Sequence, residues 1–179
     1  MAAEDMTVAV LTAAEVRPYR ALMLEAYARA ADAFTSTPEE RAAEPEEWWI
    51  KRLADRKGMS LAFGAFREQV LVGTATLEFS ERTKTRHKAH LIGMYVSPAA
   101  RGTGAGKALL EAALAYLDKR PGISAVMLTV TQGNEPALGL YRSAGFVEFG
   151  TEPMAVMVEG GYKAKVHMWR PVGRGGAAA

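Results

Sequence analysis

Gly102, Gly104 and Gly106 stand within five positions, after the run Met94-Tyr95-Val96-Ser97-Pro98 and just before a run with helical spacing that opens at Lys107. A strand, a glycine turn and a helix N-terminus in that order confine the chain to few arrangements. Glycines let the backbone turn tightly and approach a ligand closely. The unpaired N–H groups of the helix start and its dipole favour an anion, so a phosphate or pyrophosphate is the natural guest. A nucleoside-triphosphatase loop would need Gly at 101 and Ser or Thr at 108, where Arg101 and Ala108 stand. A dinucleotide fingerprint from Gly102 would need a third glycine where Lys107 stands. Both of those readings fail.

The flanking chain sets the loop in an α/β architecture. Met6 to Leu11 reads as a strand, and Thr12 with Glu15 has the spacing of a capping box, followed by a helical face of Val16, Tyr19, Met23 and Ala26. Thr37-Pro38 with Glu40, then Pro45 with Glu46 and Glu47, open two more helices, the second expected to run through Trp48, Trp49, Arg52 and Leu53 to Gly58. Ser60 to Phe66 and Val70 to Phe79 form a hairpin across Arg67 to Gln69, and His90 to Val96 is a third strand, ended by Pro98. Lys107 to Leu117 is helical and stops at Pro121-Gly122; Ile123 to Thr131 is a strand. Asn134 caps a helix from Glu135 to Ala144 with Gly145 as its left-handed stop, and Phe146 to Phe149 and Tyr162 to Trp169 are the last strands. The expected fold is a mixed, mostly antiparallel sheet of six or seven strands with helices on both faces.

Size and composition narrow the function. The 179 residues suit one domain, taken as 1–172, with the glycine- and alanine-rich 173–179 as a mobile tail. A formal charge of +2 argues against nucleic acid or an anionic membrane as the main partner. No uncharged stretch is long enough to span a bilayer, and Met1 to Met6 lacks the features of a secretory signal, so the expected location is cytoplasmic. With no cysteine there is no thiol nucleophile or thiolate metal site. His87 and His90 point to opposite faces of a strand and His167 is distant, so no metal is expected.

Arg101-x-x-Gly104-x-Gly106 after Val96-Ser97-Pro98 resembles the acetyl-CoA loop of the GNAT superfamily of N-acetyltransferases. The resemblance continues through Leu128 to Val130, Asn134, Leu140-Tyr141 and Gly145-Phe146, and covers Ala89 to Phe149. Within the superfamily the stretch is most similar to enzymes that acetylate protein N-termini and small amines. It implies the GNAT fold, acetyl-CoA as co-substrate and a primary amine, in a small molecule or at a protein N-terminus or lysine, as acceptor. Backbone groups of Met94, Tyr95 and Val96 would pair with the pantetheine arm. Amides of Arg101, Gly102, Thr103, Gly104, Ala105 and Gly106 would hold the pyrophosphate, Asn134 would contact the arm, and Tyr141 would sit beside the thioester sulfur. Pairing with a second copy of the chain stays open.

Acyl transfer to an amine needs a neutral nucleophile, a donor for the oxyanion and a proton for the departing thiolate. Tyr141, with an ordinary pKa near ~10, keeps its proton at neutral pH and suits the acid role. A backbone N–H of the Met94 to Val96 strand would meet the oxyanion. Related ribosomal-protein acetyltransferases place a Glu where this chain has Thr129, leaving Glu78, His90, Glu135 or no residue as the general base. Attack is direct, since no cysteine exists to form an acyl-enzyme; a non-catalytic acyl-CoA sensor is the competing reading. The glutamates from Glu39 to Glu47 read as solvated first turns of helices, the basic run Arg82, Lys84, Arg86 and Lys88 as a solvated loop, and Lys163 and Lys165 as the exposed face of the last strand.

Overall fold

The computed structural model describes residues 6–173, in the order β1 (Met6–Val10), α1 (Val16–Arg29), α2 (Pro38–Ala42), α3 (Glu46–Leu53), β2 (Ser60–Arg67), β3 (Val70–Phe79), β4 (Lys88–Val96), α4 (Ala105–Lys119), β5 (Ala125–Thr131), α5 (Glu135–Ser143), β6 (Val147–Val158) and β7 (Gly161–Pro171). The strands make one mixed sheet, β1-β2-β3-β4-β5-β7-β6, in which only β4 and β5 are parallel. The expected fold class is therefore the observed one. Strand alternation divides the core. Leu61, Phe63 and Ala65 of β2 pack with Leu109, Leu110, Ala113 and Leu117 of α4, while Ala62 between them joins Tyr19, Met23, Trp49 and Leu53 of α1 and α3 on the opposite face. No helix among the described residues is long and apolar enough to cross a membrane.

Local chemistry accounts for most boundaries. Both capping boxes form, Thr12 with Glu15 before α1 and Thr37 with Glu40 at α2. Asn134 caps α5, its Oδ1 accepting from Ala137 N at 3.3 Å. α3 stops at Leu53 rather than Gly58, because Asp55 Oδ2 accepts from Met59 N at 3.0 Å and Ala54 bridges to Leu61, so a turn replaces the last helical residues. β6 runs nine residues past the expected Phe149, across two register shifts and Met154 at φ 51°. Gly150 and Pro153 interrupt its pattern and concealed it in the sequence. Apart from Gly173, the expected mobile tail lies outside the described residues.

Candidate active site

The site begins where the sheet comes apart. β4 and β5 pair only at Lys88–Ala125, Ala89–Val126 and His90–Met127; both then continue, to Val96 and Thr131, without pairing. The cause is a bulge. Thr76 opposes Ile92 and Thr74 opposes Tyr95, so Gly93 and Met94 together face Ala75. Gly93 has φ +57°, the left-handed conformation such a bulge requires, and a bulge bends its strand away from its neighbour. The sequence carries this signal only as a lone glycine inside a β-prone run, where the expected strand from His90 to Val96 runs through without interruption. The opening is a cleft of about 340 Å³ between β4, β5, α5 and the segment linking α1 to α3.

At one end of the cleft lies the glycine loop. Gly102 and Gly104 have φ +77° and +88°, with open space where a Cβ would stand. Gly104 is the N-cap of α4 and supplies no side chain, and among the described residues the amides of Gly102 to Lys107 find no backbone acceptor. Thr103 Oγ1 pins the turn by donating to Ala100 O at 2.6 Å. Arg101 folds back, its Nε donating to Val96 O at 3.3 Å and its guanidinium lying over the Tyr95 ring. A row of free N–H groups at a helix start, beside parted strands, fits a diphosphate joined to an extended arm.

Of the three β4 residues expected to meet that arm, Tyr95 turns its carbonyl towards β3, 3.2 Å from where a Cβ on Gly73 would sit. Strand alternation then turns the peptide groups of Met94 and Val96 towards the parted side. The Tyr95 side chain leaves the cleft, its hydroxyl donating to Glu25 Oε1 at 2.9 Å. Tyr141 lines the cleft from α5, only 7% exposed, with its hydroxyl donating to Met94 Sδ at 3.2 Å. Burial pushes its pKa up to about 12. Asn134 also lines the cleft, with Oδ1 engaged as the cap and its amide nitrogen free to donate.

The three candidate bases separate. Glu78 lines the cleft, with Oε1 3.7 Å from Arg52 Nη1. His90 opposes Glu78 in register, at the point where β4 still pairs with β5, and is exposed. Glu135 sits in the exposed first turn of α5, paired with Arg142 at 3.5 Å. The run from Arg82 to Lys88 lies at the opposite end of β4 from the glycine loop. The glutamates at 39, 40, 46 and 47 occupy the first turns of α2 and α3, while Arg41 in their midst lines the cleft. Lys165 corrects the sequence reading: it is 7% exposed, and its Nζ donates to Ala33 O at 3.1 Å, because the loop after α1 folds over this end of β7.

A mixed sheet whose two parallel strands part beside a helix start without a side-chain cap has a crevice at the carboxyl ends of those strands, the place where open α/β sheets hold ligands. The chain belongs to the GNAT acetyltransferase family, whose model matches residues 22–146. Among its relatives, a mycothiol acetyltransferase of Salinispora tropica is 32% identical over 127 residues, covering 66% of this chain and 39% of that protein. The L-amino acid N-acetyltransferase AaaT of Escherichia coli is 28% identical over 125 residues, 70% of this chain and 76% of that one. This chain thus spans about two fifths of the mycothiol acetyltransferase it matches. Among solved structures, a phosphinothricin acetyltransferase from Sinorhizobium meliloti in complex with AcCoA superposes with a TM-score of 0.80 at 24% identity, covering 97% of this chain and 92% of that one, and shares the fold.

Proposed function

We propose that this chain moves an acetyl group from acetyl-CoA to a primary amine by direct attack. The observation that carries the reading is the parting of β4 from β5 at Gly93, with the Tyr141 hydroxyl on its edge and free amides at its mouth. Amides of Gly102 to Gly106 would hold the pyrophosphate, and the main chain of Met94 and Val96 with the Asn134 amide would hold the arm. Acetyl-CoA supplies the activated acyl group. A cleft-facing N–H of Met94 or Val96 donates to the oxyanion, in a site partly closed to water. Tyr141 holds its proton far above neutral pH and has only a thioether as acceptor, a weak one, so that proton is free for a departing thiolate. Glu78 takes the amine proton directly or through water.

Release of CoA thiol from acetyl-CoA across a panel of small amines and N-terminal peptides tests the reading. Turnover of at least one amine is expected; none, at saturating acetyl-CoA, rejects it. By calorimetry the protein is expected to bind CoA and to bind ATP at least tenfold more weakly, since the loop matches neither nucleotide fingerprint. Equal or tighter ATP binding overturns the placement. Glu78→Gln is expected to lower kcat/KM by about 10²-fold at pH 7. That loss should shrink as pH approaches the amine's own pKa and the acceptor arrives neutral. A loss independent of pH would assign Glu78 a role other than base.

A further inference from the structure

The charge around the inner end of the cleft has the wrong sign for a site that needs only to receive an amine. Arg41, Arg52 and Lys165 line it against one carboxylate, Glu78. Arg41 and Arg52 share a ring: their guanidinium carbons lie 4.5 and 5.4 Å from the Trp48 centroid. Two cations gathered on one indole repel unless an anion joins them. Arg41 has Glu44 and Arg52 has Glu78, each at 3.7 Å, longer than a hydrogen bond; the buried Tyr19 hydroxyl also lies beside Arg52, and Lys165 has the Ala33 carbonyl. The Arg52 side chain is 17% exposed, and its Nε, like that of Arg41, is buried without a hydrogen-bond partner; Arg52 differs in standing at the bulge. A guanidinium offers five donors, and leaving buried ones unmatched is costly.

Position distinguishes the missing anion from the phosphates of CoA. The free amides lie beyond the far end of β4, at Gly102 to Lys107, whereas Arg52 Nη2 stands 3.8 Å from where a Cβ on Gly93 would be, at the bulge. The next residue, Met94, accepts from Tyr141. The guanidinium and the proposed acid therefore stand by adjacent residues of β4 and line the same cleft, which lets one small molecule set its nitrogen towards the acid and its anion on the arginine.

Resting on the proposed acetyl transfer, we infer that the acceptor is a small amine that itself carries a carboxylate, an amino acid, and that Arg52 is the residue that receives this carboxylate. Its amine nitrogen forms the C–N bond as the thioester C–S bond breaks; one amine proton leaves to Glu78 or water, and the thiol regains one from Tyr141. Binding the carboxylate also places the nucleophile, so both KM and orientation depend on it. A planar fork matches a carboxylate in a way a lysine does not.

Thiol release is measured with acetyl-CoA and matched sets: L-amino acids, the corresponding amino acid amides, the decarboxylated amines, and peptides with acidic first residues. The free amino acids are expected to exceed their amides and amines by roughly 10- to 10³-fold in kcat/KM. Arg52→Gln should cut that ratio at least tenfold, chiefly through KM, and Arg52→Lys should restore part of it. The wild-type comparison stands by itself even where a variant unfolds. Amides or amines used as well as the acids, a preference for the peptides, or an Arg52→Gln ratio equal to wild type overturns the inference while leaving acetyl transfer intact. Efficient transfer from succinyl- or malonyl-CoA to amines lacking a carboxylate overturns it by putting the carboxylate on the donor. CoA binding without turnover of any amine overturns both readings.

Discussion

Tyr141→Phe is expected to lower kcat by roughly 10- to 10⁴-fold while CoA affinity stays within a few-fold of wild type. The substitution keeps the ring, and with it the edge-on contact to Phe146 at 5.8 Å between centroids. It removes one hydroxyl whose partner, Met94 Sδ, is a weak acceptor, so little stability or binding goes with it. What is lost is a proton held for the leaving group. The pH dependence gives a second reading of the same residue. The acid works only when protonated, so the rate falls as pH rises through its pKa, and burial moves that pKa from the ordinary 10 up to about 12. Wild-type kcat should therefore hold between pH 8 and 10, where an exposed tyrosine would begin to fail, and its decline towards pH 12 should be missing from Tyr141→Phe. Stopped-flow or steady-state thiol release across pH, paired with calorimetry, tests this. Full kcat in the variant with an unaltered profile removes Tyr141 from the chemistry; weakened CoA binding with normal kcat makes its role one of packing.

Periodicity and capping carried most of the fold because they are local. Thr12, Thr37 and Asn134 each state a helix start through hydrogen bonds made within three residues, and all three form. Alternation in β2 likewise divides its side chains between the two layers. What escaped depends on partners distant in sequence. The exposure expected of Lys165 follows from strand alternation alone, but the strand end is covered by the loop after α1, which reaches it across more than a hundred residues. Arg41 and Arg52 carried no signal, one hidden among glutamates and the other on a short helix; only folding of α2 and α3 over the sheet brings both to Trp48. Gly93 was readable in principle, yet its consequence, the parting of two strands, needs the register of β3 against β4. The glycine loop proposed to hold the cofactor is therefore a contiguous sequence feature, and the side proposed to receive the acceptor is a product of topology.

That division makes Gly106 a sharper probe of the loop than Gly104. Gly104 is left-handed at φ +88°, so any side chain there strains the turn whether or not a ligand binds, and a loss of CoA affinity would be ambiguous. Gly106 is free of that constraint. A Cβ on it would meet Leu140, Met94 and Val96 side chains at 3.6 to 3.8 Å, ordinary contact distances, and it stands in the first turn of α4. Glycine is a poorer helix former than alanine by about 1 kcal/mol, so Gly106→Ala should leave thermal stability unchanged or slightly raised. The protein itself gives little reason for a glycine here; a ligand's phosphate seated against the backbone gives one. Gly106→Val, which adds branched bulk at the same point, is expected to weaken CoA binding by well over tenfold, with an unfolding temperature near that of wild type. Affinity and stability thus move independently, the signature of a position kept small for what binds there. Calorimetric titration with CoA beside thermal unfolding reads both, and a folded Gly106→Val that binds CoA as tightly as wild type would place the diphosphate elsewhere.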